Sequence, residues 1–117
     1  MTSVSPKALK NNKYLTKVSI GNNVITIGKE AFLGCTKLKE VTIGKNVKNI
    51  GKKAFYQCKS LKTVTIKTKK LTKKTVGSKA FGKCNNKVTV KVPAKKWKAY
   101  KKLLKEKGVN GEAKIKK

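Results

Sequence analysis

Three cysteines are the side chains of this sequence whose type and spacing most strongly suggest chemistry. Cys35, Cys58 and Cys84 lie 23 and 26 residues apart, and each follows a phenylalanine by three residues. Such spacing suits a disulfide, a thiolate metal site or a column of buried thiols. We expect buried, reduced thiols, because three cysteines leave one unpaired, parallel side chains point the same way and no histidine completes a metal site.

General acid–base catalysis lacks its usual groups in this chain. There is no histidine and no aspartate, and the four carboxylates are scattered: Glu30, Glu40, Glu106 and Glu112. Neither a glycine-rich dinucleotide motif nor a phosphate-binding loop occurs. We therefore expect no enzyme activity, no cofactor, no metal and no small-molecule substrate.

The charge balance is extreme, with 32 basic residues against 4 acidic ones and a net charge of +28. Such a chain attracts anionic polymers such as nucleic acid, acidic glycans and wall polymers. All the basic residues are lysines, which lack the planar fork with which arginine grips phosphate. Lysine as a default surface residue is the simpler interpretation, and a polyanion-binding role stays open beside it.

A repeated motif organises the positions of these residues. The segment Gly28–Leu38 returns as Gly51–Leu61 and, in shorter form, as Gly77–Cys84. A fixed period of this size predicts stacked structural repeats. The pattern enters in mid-repeat, so we expect a fragment of a longer protein. No apolar run is long enough for a membrane span, and we see no signal peptide in this chain.

Each repeat predicts a short strand followed by a second extended piece. A leucine precedes a valine and an isoleucine that stand two residues apart, which is the period of a half-buried strand. The third unit contains three extra residues somewhere within 67–75, and there we expect Leu71 and Val76 to supply the inward-facing positions. In the strand that follows, we expect Val88 to replace the leucine that the spacing would place at Lys87. The three clear strand patterns are Leu15, Val18 and Ile20; Leu38, Val41 and Ile43; and Leu61, Val64 and Ile66.

The alanine–phenylalanine motif predicts a short helical turn. Ala54, Phe55 and Cys58 would share one face of that turn, since residues three and four apart are neighbours on a helix. If the repeats stack, Phe32 and Phe81 lie above and below Phe55 as a column of offset rings.

The pattern changes from Pro93 onward. Proline opens and Gly108 ends a predicted helix, whose apolar face contains Trp97 and Tyr100. These aromatic residues stand among lysines, as in a nucleic-acid-binding patch, but their helical spacing favours a cap over the last repeat. Ala113 and Ile115 are spaced for a final short strand.

The repeat L-x-x-V-x-I followed by N-V-x-x-I-G-x-x-A-F-x-x-C-x-x-L resembles the BspA-type leucine-rich repeat of bacterial surface proteins. The resemblance implies an α/β repeat solenoid, a right-handed coil with short parallel strands, short helical turns and a C-terminal capping helix. We expect a single domain over 1–117, with the solenoid at 8–92 and the capping helix and basic tail at 93–117.

The resemblance also implies a secreted or cell-surface protein that binds without catalysis. We expect a binding or adhesion module for a host or bacterial surface protein or glycan, with lysine-driven polyanion binding as the alternative. Solvent-facing serine and threonine are also ordinary strand residues, so a purely structural role is the simpler interpretation of the candidate face. The candidate ligand-binding residues on the outward strand face are Lys17, Ser19, Glu40, Thr42, Thr63, Thr65 and Lys91.

Overall fold

A computed structural model describes residues 2–117, without the side chain of Thr2. A short 3-10 helix, Ala94–Lys96, leads into helix α1, Trp97–Glu106. The strands are β1 Thr2–Val4, β2 Lys17–Ile20, β3 Val24–Ile27, β4 Glu40–Ile43, β5 Asn49–Ile50, β6 Thr63–Ile66, β7 Thr89–Lys91 and β8 Lys114–Lys116.

Five strands form one parallel sheet in the order β2-β4-β6-β7-β8. The register joins equivalent residues of successive repeats, so that Val18 pairs with Val41 and Val41 with Val64. Val41 and Val64 are buried, and the pairing continues to Val90. The predicted parallel strands, stacked like over like, are confirmed.

A smaller parallel sheet has the order β1-β3-β5. Its inward residues Ile27 and Ile50 pair in register and are fully buried. Beyond β5 the pairing is reduced to an isolated bridge between Ile50 and Val76. The extra residues of the third unit lie just before this bridge, which is where the small sheet stops.

The alanine–phenylalanine segments form chains of turns, so the prediction of a short helical turn was wrong. Glu30 and Gly34 take positive φ values of 56° and 75°, and Lys53 and Gln57 take 56° and 62°. A left-handed residue at every fourth position interrupts a helix, because the helix needs right-handed backbone throughout.

The backbone groups that a helix would have used join neighbouring repeats instead. In the second repeat the Phe55 N–H donates to the Ala80 carbonyl at 2.7 Å, and the Gln57 N–H donates to the Gly82 carbonyl at 2.9 Å. The equivalent Phe32 N–H donates to the Ala54 carbonyl at 2.8 Å. We call this third side of the stack the turn ladder, residues 28–35, 51–58 and 77–84.

Three phenylalanines fill the core beneath the turn ladder. The ring centroids of Phe32 and Phe55 are 5.1 Å apart, and those of Phe55 and Phe81 are 5.3 Å apart, with 5° between planes in both pairs. Stacked rings of this spacing are favourable. The predicted column is confirmed.

Glycine is needed where each turn segment begins. A Cβ added to Gly51 would clash with the backbone of Lys29, and one added to Gly77 would clash with the backbone of Lys52. The repeats approach so closely at this point that no side chain fits, which explains why glycine recurs there.

The C-terminal segment covers the last repeat. Tyr100, Leu103 and Leu104 of α1 are buried, and Gly108 follows with a φ of 109°. Leu71, Val76 and Val88 are buried as predicted, and Ile115 lies in β8.

Strand β1 lies upstream of residue 8, at which the predicted array begins. It pairs with β3 and so belongs to the stack. The division of one domain into 8–92 and 93–117 stays a prediction.

Candidate functional site

The outer face of the five-stranded sheet carries the predicted binding residues. The strand register sorts its polar side chains into two columns, which we call the strand face. The first column is Lys17, Glu40, Thr63, Thr89 and Lys114, and the second is Ser19, Thr42, Thr65, Lys91 and Lys116.

All seven predicted residues therefore lie on one surface. Lys17, Ser19, Glu40 and Lys91 are exposed, whereas the threonines are half-buried between their neighbours. Hydroxyl groups dominate the centre and lysines stand at both ends. Such a surface offers hydrogen-bond donors and acceptors to a flat partner, with cations for its acidic groups.

Sequence reasoning missed Lys114 and Lys116 as members of the strand face. It placed them in a basic tail, but β8 pairs Lys114 with Thr89 and Lys116 with Lys91. The spacing of Ala113 and Ile115 was the available signal, since a strand there must turn the alternate lysines outward.

The lysines have few acidic partners. Over residues 2–117 the one ion pair joins the Lys10 ammonium to the Glu30 carboxylate at 3.0 Å. That hydrogen bond holds the pKa of Glu30 below its ordinary value. The positive charge is therefore largely uncompensated within the chain.

The cysteine thiols make a repeated contact with the preceding repeat. Cys58 Sγ donates to the Phe32 carbonyl at 3.3 Å, and Cys84 Sγ donates to the Phe55 carbonyl at 3.1 Å. Cys35 Sγ donates in the same way to the Leu9 carbonyl at 3.2 Å. These weak thiol donors thus add a repeated side-chain contact between neighbouring repeats.

The thiols are free, and two of the three are buried. Burial raises the pKa of Cys35, and the contact with Cys84 together with burial raises the pKa of Cys58. Raised pKa values keep these thiols protonated and unreactive. Burial is confirmed for both, whereas Cys84, in the last segment of the turn ladder, is only half-buried.

The two aromatic residues of α1 act as a cap. The Tyr100 hydroxyl donates to the Thr68 carbonyl at 2.9 Å and accepts the Leu71 N–H at 3.2 Å. Trp97 Nε1 donates to the Ile115 carbonyl at 3.0 Å, and the Lys101 ammonium lies 4.8 Å from the centroid of the Trp97 ring. The predicted capping role is confirmed, with Tyr100 buried and Trp97 half-buried.

A family comparison accounts for this arrangement. The family model of the BspA type leucine rich repeat region matches residues 2–106 in six copies. The chain belongs to this family. BspA-type repeats typically serve as non-catalytic protein-binding modules, and they typically occur in secreted or cell-surface proteins.

Two solved leucine-rich repeat structures resemble this BspA-type chain. One is a protein from Bacteroides capillosus, 32% identical over 62% of this chain and 53% of that chain, with a TM-score of 0.55. The other is the T. pallidum protein TpLRR, 26% identical over 80% of this chain and 53% of that chain, with a TM-score of 0.45. This chain thus spans about half of either solved chain.

No curated protein matches the chain. Within the described residues, no helix has the length and apolar character needed to cross a membrane.

Proposed function

We propose that this BspA-type chain is a non-catalytic binding or adhesion module of a secreted or cell-surface bacterial protein. It engages a host or bacterial surface protein, or a glycan, through the strand face. The observation that carries this proposal is the unbroken register of the five-stranded sheet, which aligns two columns of polar side chains.

The physical basis is an even surface on a rigid support. Neighbouring parallel strands lie about 4.8 Å apart, so equivalent hydroxyls recur at a regular spacing. Their backbone groups are already paired within the sheet, which leaves side chains to choose the partner. Stacked repeats commonly present such extended binding surfaces.

The architecture that supports this role is a solenoid with a right-handed coil, as one domain over 1–117. Parallel strands joined by crossover connections are right-handed in nearly all proteins, which supports this handedness. We propose that residues 8–92, extended at their N-terminal end by strand β1, form its repeats and that residues 93–117 form its cap and basic end.

The binding proposal is tested with bulky substitutions on the two sheets. The double substitution of Thr42→Tyr and Thr65→Tyr enlarges the centre of the strand face while keeping good strand residues. Thr26→Tyr makes the same change on β3, where Thr26 pairs with the exposed Asn49.

The measurement is binding to an array of immobilised extracellular-matrix proteins and bacterial surface glycans. We expect the double substitution to abolish the signal that the unaltered chain gives, and Thr26→Tyr to preserve it. Equal signals from both variants would place the binding surface elsewhere.

Polyanion binding is the second candidate, favoured by the net charge of +28 and by the single ion pair over residues 2–117. Its partner would be an acidic glycan, a wall polymer or nucleic acid. Heparin serves as the probe in a salt titration. Because bound lysines release counterions, the logarithm of the affinity must fall steeply as salt rises. An affinity independent of salt excludes this candidate.

A further inference from the structure

A groove lies between the extra residues of the third repeat and helix α1. Its volume is about 280 Å³, which is close to the lower limit of small-ligand pockets. Buried Leu71, Tyr100 and Leu103 line it, and exposed Ala99 forms part of its wall. The first two repeats lack the extra residues, so this groove occurs at one place in the stack rather than at every period.

The loop that forms one wall is held firmly before any partner arrives. Thr68 is fully buried, and its Oγ1 donates to the Val47 carbonyl at 2.6 Å. The Tyr100 hydroxyl then joins Thr68 to Leu71. A wall fixed by its own hydrogen bonds loses little conformational freedom on binding, which favours affinity.

The far end of the same loop is closed by two threonines. The Thr72 N–H donates to Thr75 Oγ1 at 2.9 Å, and the Thr75 N–H donates back to the Thr72 carbonyl at 3.1 Å. Both ends of the wall are therefore anchored, and the groove keeps its shape between them.

The rim of the groove is charged. Lys73 stands on the loop side, Lys102 on the helix side, and Glu106 one helical turn further along α1. The two ammonium groups outnumber the carboxylate, and the whole chain carries +28. An occupant must therefore combine an apolar group for the floor with negative charge for the rim.

We propose that this groove binds an acidic peptide segment of a partner protein, with one large apolar side chain seated between the loop and α1. The volume accommodates a single side chain of the size of leucine or phenylalanine rather than a drug-sized molecule. Acidic residues on either side of the anchor meet Lys73 and Lys102. The site is separate from the strand face and does not depend on it.

Two synthetic peptides test the apolar part of the proposal. Both consist of glutamates around a central residue, which is leucine in one and serine in the other. Fluorescence anisotropy at low salt measures their affinities for the full chain. We expect the leucine peptide to bind about tenfold more tightly, because its side chain is removed from water in the groove.

A matched pair of variants locates the binding. Ala99→Trp fills the groove from an exposed position, and Ala94→Trp makes the same substitution at an exposed position that does not line it. Ala99→Trp should lower the affinity of the leucine peptide to that of the serine peptide, while Ala94→Trp should leave it unchanged. Circular dichroism confirms that both variants are folded.

A second pair tests the charged rim. The double substitution Lys73→Gln and Lys102→Gln should weaken both peptides several-fold, and more than Lys37→Gln with Lys59→Gln, which removes the same charge from exposed lysines elsewhere. Thr65→Tyr on the strand face should change neither affinity, so failure here and failure of the strand-face proposal are distinguishable.

Equal affinities for the two peptides, or equal effects of the two tryptophan variants, would overturn the proposal. If, in addition, the two double-lysine variants had equal effects, the chain would attract acidic peptides only through its general positive charge.

Discussion

Two regions of the molecule are built on the same inward-facing pattern but are held together differently. In the regular region, residues 28–66, the ring stacking, the thiol hydrogen bonds and the strand pairing recur from one repeat to the next. The irregular region, residues 67–117, continues these contacts at Phe81 and Cys84 and adds contacts that occur once. Phe32 stacks on Phe55 in the first region, whereas in the second the Tyr100 hydroxyl alone bridges Thr68 and Leu71.

The difference is visible in the two sheets. The five-stranded sheet runs through both regions, because β6, β7 and β8 keep the register of β4. The three-stranded sheet ends at β5, where the longer connection of the third repeat leaves only the bridge from Ile50 to Val76. An insertion is thus tolerated on one side of the stack while the opposite side continues unbroken.

Contacts that repeat and contacts that occur once contribute differently to the molecule: the first to the stability of the stack, the second to local features such as the groove. A side chain in a repeated contact packs against its equivalents in the repeats on either side, so its removal disturbs several repeats. A contact that occurs once can be lost with local consequences. The groove beside Tyr100 lies between the loop of the third repeat and α1, two elements that the regular region lacks.

The largest loss of stability is predicted for a substitution in the regular region. Phe55→Ala removes a fully buried ring that stacks on rings in both neighbouring repeats. We expect the free energy of unfolding to fall by about 3–5 kcal/mol, measured by urea denaturation. Leu33→Ala, at a half-buried position of the turn ladder, is the control and should cost clearly less. Equal losses of unfolding free energy in the two variants would mean that the phenylalanine column contributes no more to stability than an ordinary half-buried side chain.

The next largest loss of stability is predicted for a substitution in the irregular region. Tyr100→Phe keeps the ring but leaves the Leu71 N–H and the Thr68 carbonyl without their partner. We expect a loss of about 1–3 kcal/mol in the free energy of unfolding, since buried polar groups become unsatisfied. Hydrogen exchange should accelerate more at Leu71 than at Phe55. Tyr14→Phe is the control, because Tyr14 is 90% exposed. Equal acceleration at Leu71 and Phe55 would contradict a local role.

A smaller effect concerns the thiols and alkaline pH. The pKa of Cys58 in the folded chain is raised by its contact with Cys84 and by burial, whereas an unfolded thiol has its ordinary pKa of 9.0. The folded state therefore retains a proton that the unfolded state releases, so this stabilisation is complete below pH 9 and is lost as the pH rises above it.

We expect the free energy of unfolding of the unaltered chain to fall as the pH rises above 9, because the unfolded chain releases the Cys58 proton that the folded chain keeps. Cys58→Ala should show a shallower fall, because it lacks this thiol proton. Parallel pH profiles of the two proteins would contradict the assignment of this stabilisation to the Cys58 thiol.

A thiol reagent should modify half-buried Cys84 in the folded chain before Cys35 or Cys58.

The smallest effect concerns the exposed ion pair at the start of the regular region. Glu30→Gln removes the partner of Lys10 and should lower stability slightly at neutral pH. The hydrogen bond from Lys10 depresses the pKa of Glu30, so its contribution is present above the ordinary carboxyl pKa of 4.5 and is lost as the pH falls through the folded value. Thermal unfolding of both proteins should coincide in acid. A difference that persists there would assign the effect to packing instead of charge.

Much of the fold could be predicted from the chain because its repeats are local and periodic. The strand pattern at Val41 and Ile43, the phenylalanine column and the capping role of Tyr100 all follow from spacing and apolar character. The turn ladder was missed because an alanine–phenylalanine motif with helical spacing also suits successive turns. Only the hydrogen bonds to the next repeat decide between the two.

The sequence by itself determined the repeat, the parallel pairing and the residues of the strand face, since a fixed period places equivalent side chains at equivalent points. Tertiary structure alone decided the place of Lys114 and Lys116 beside β7 and the groove beside Tyr100. The physical reason is that these features lie outside the repeated motif: β8 pairs with β7, and the Tyr100 hydroxyl reaches Thr68 and Leu71, only after the cap has folded onto the last repeat.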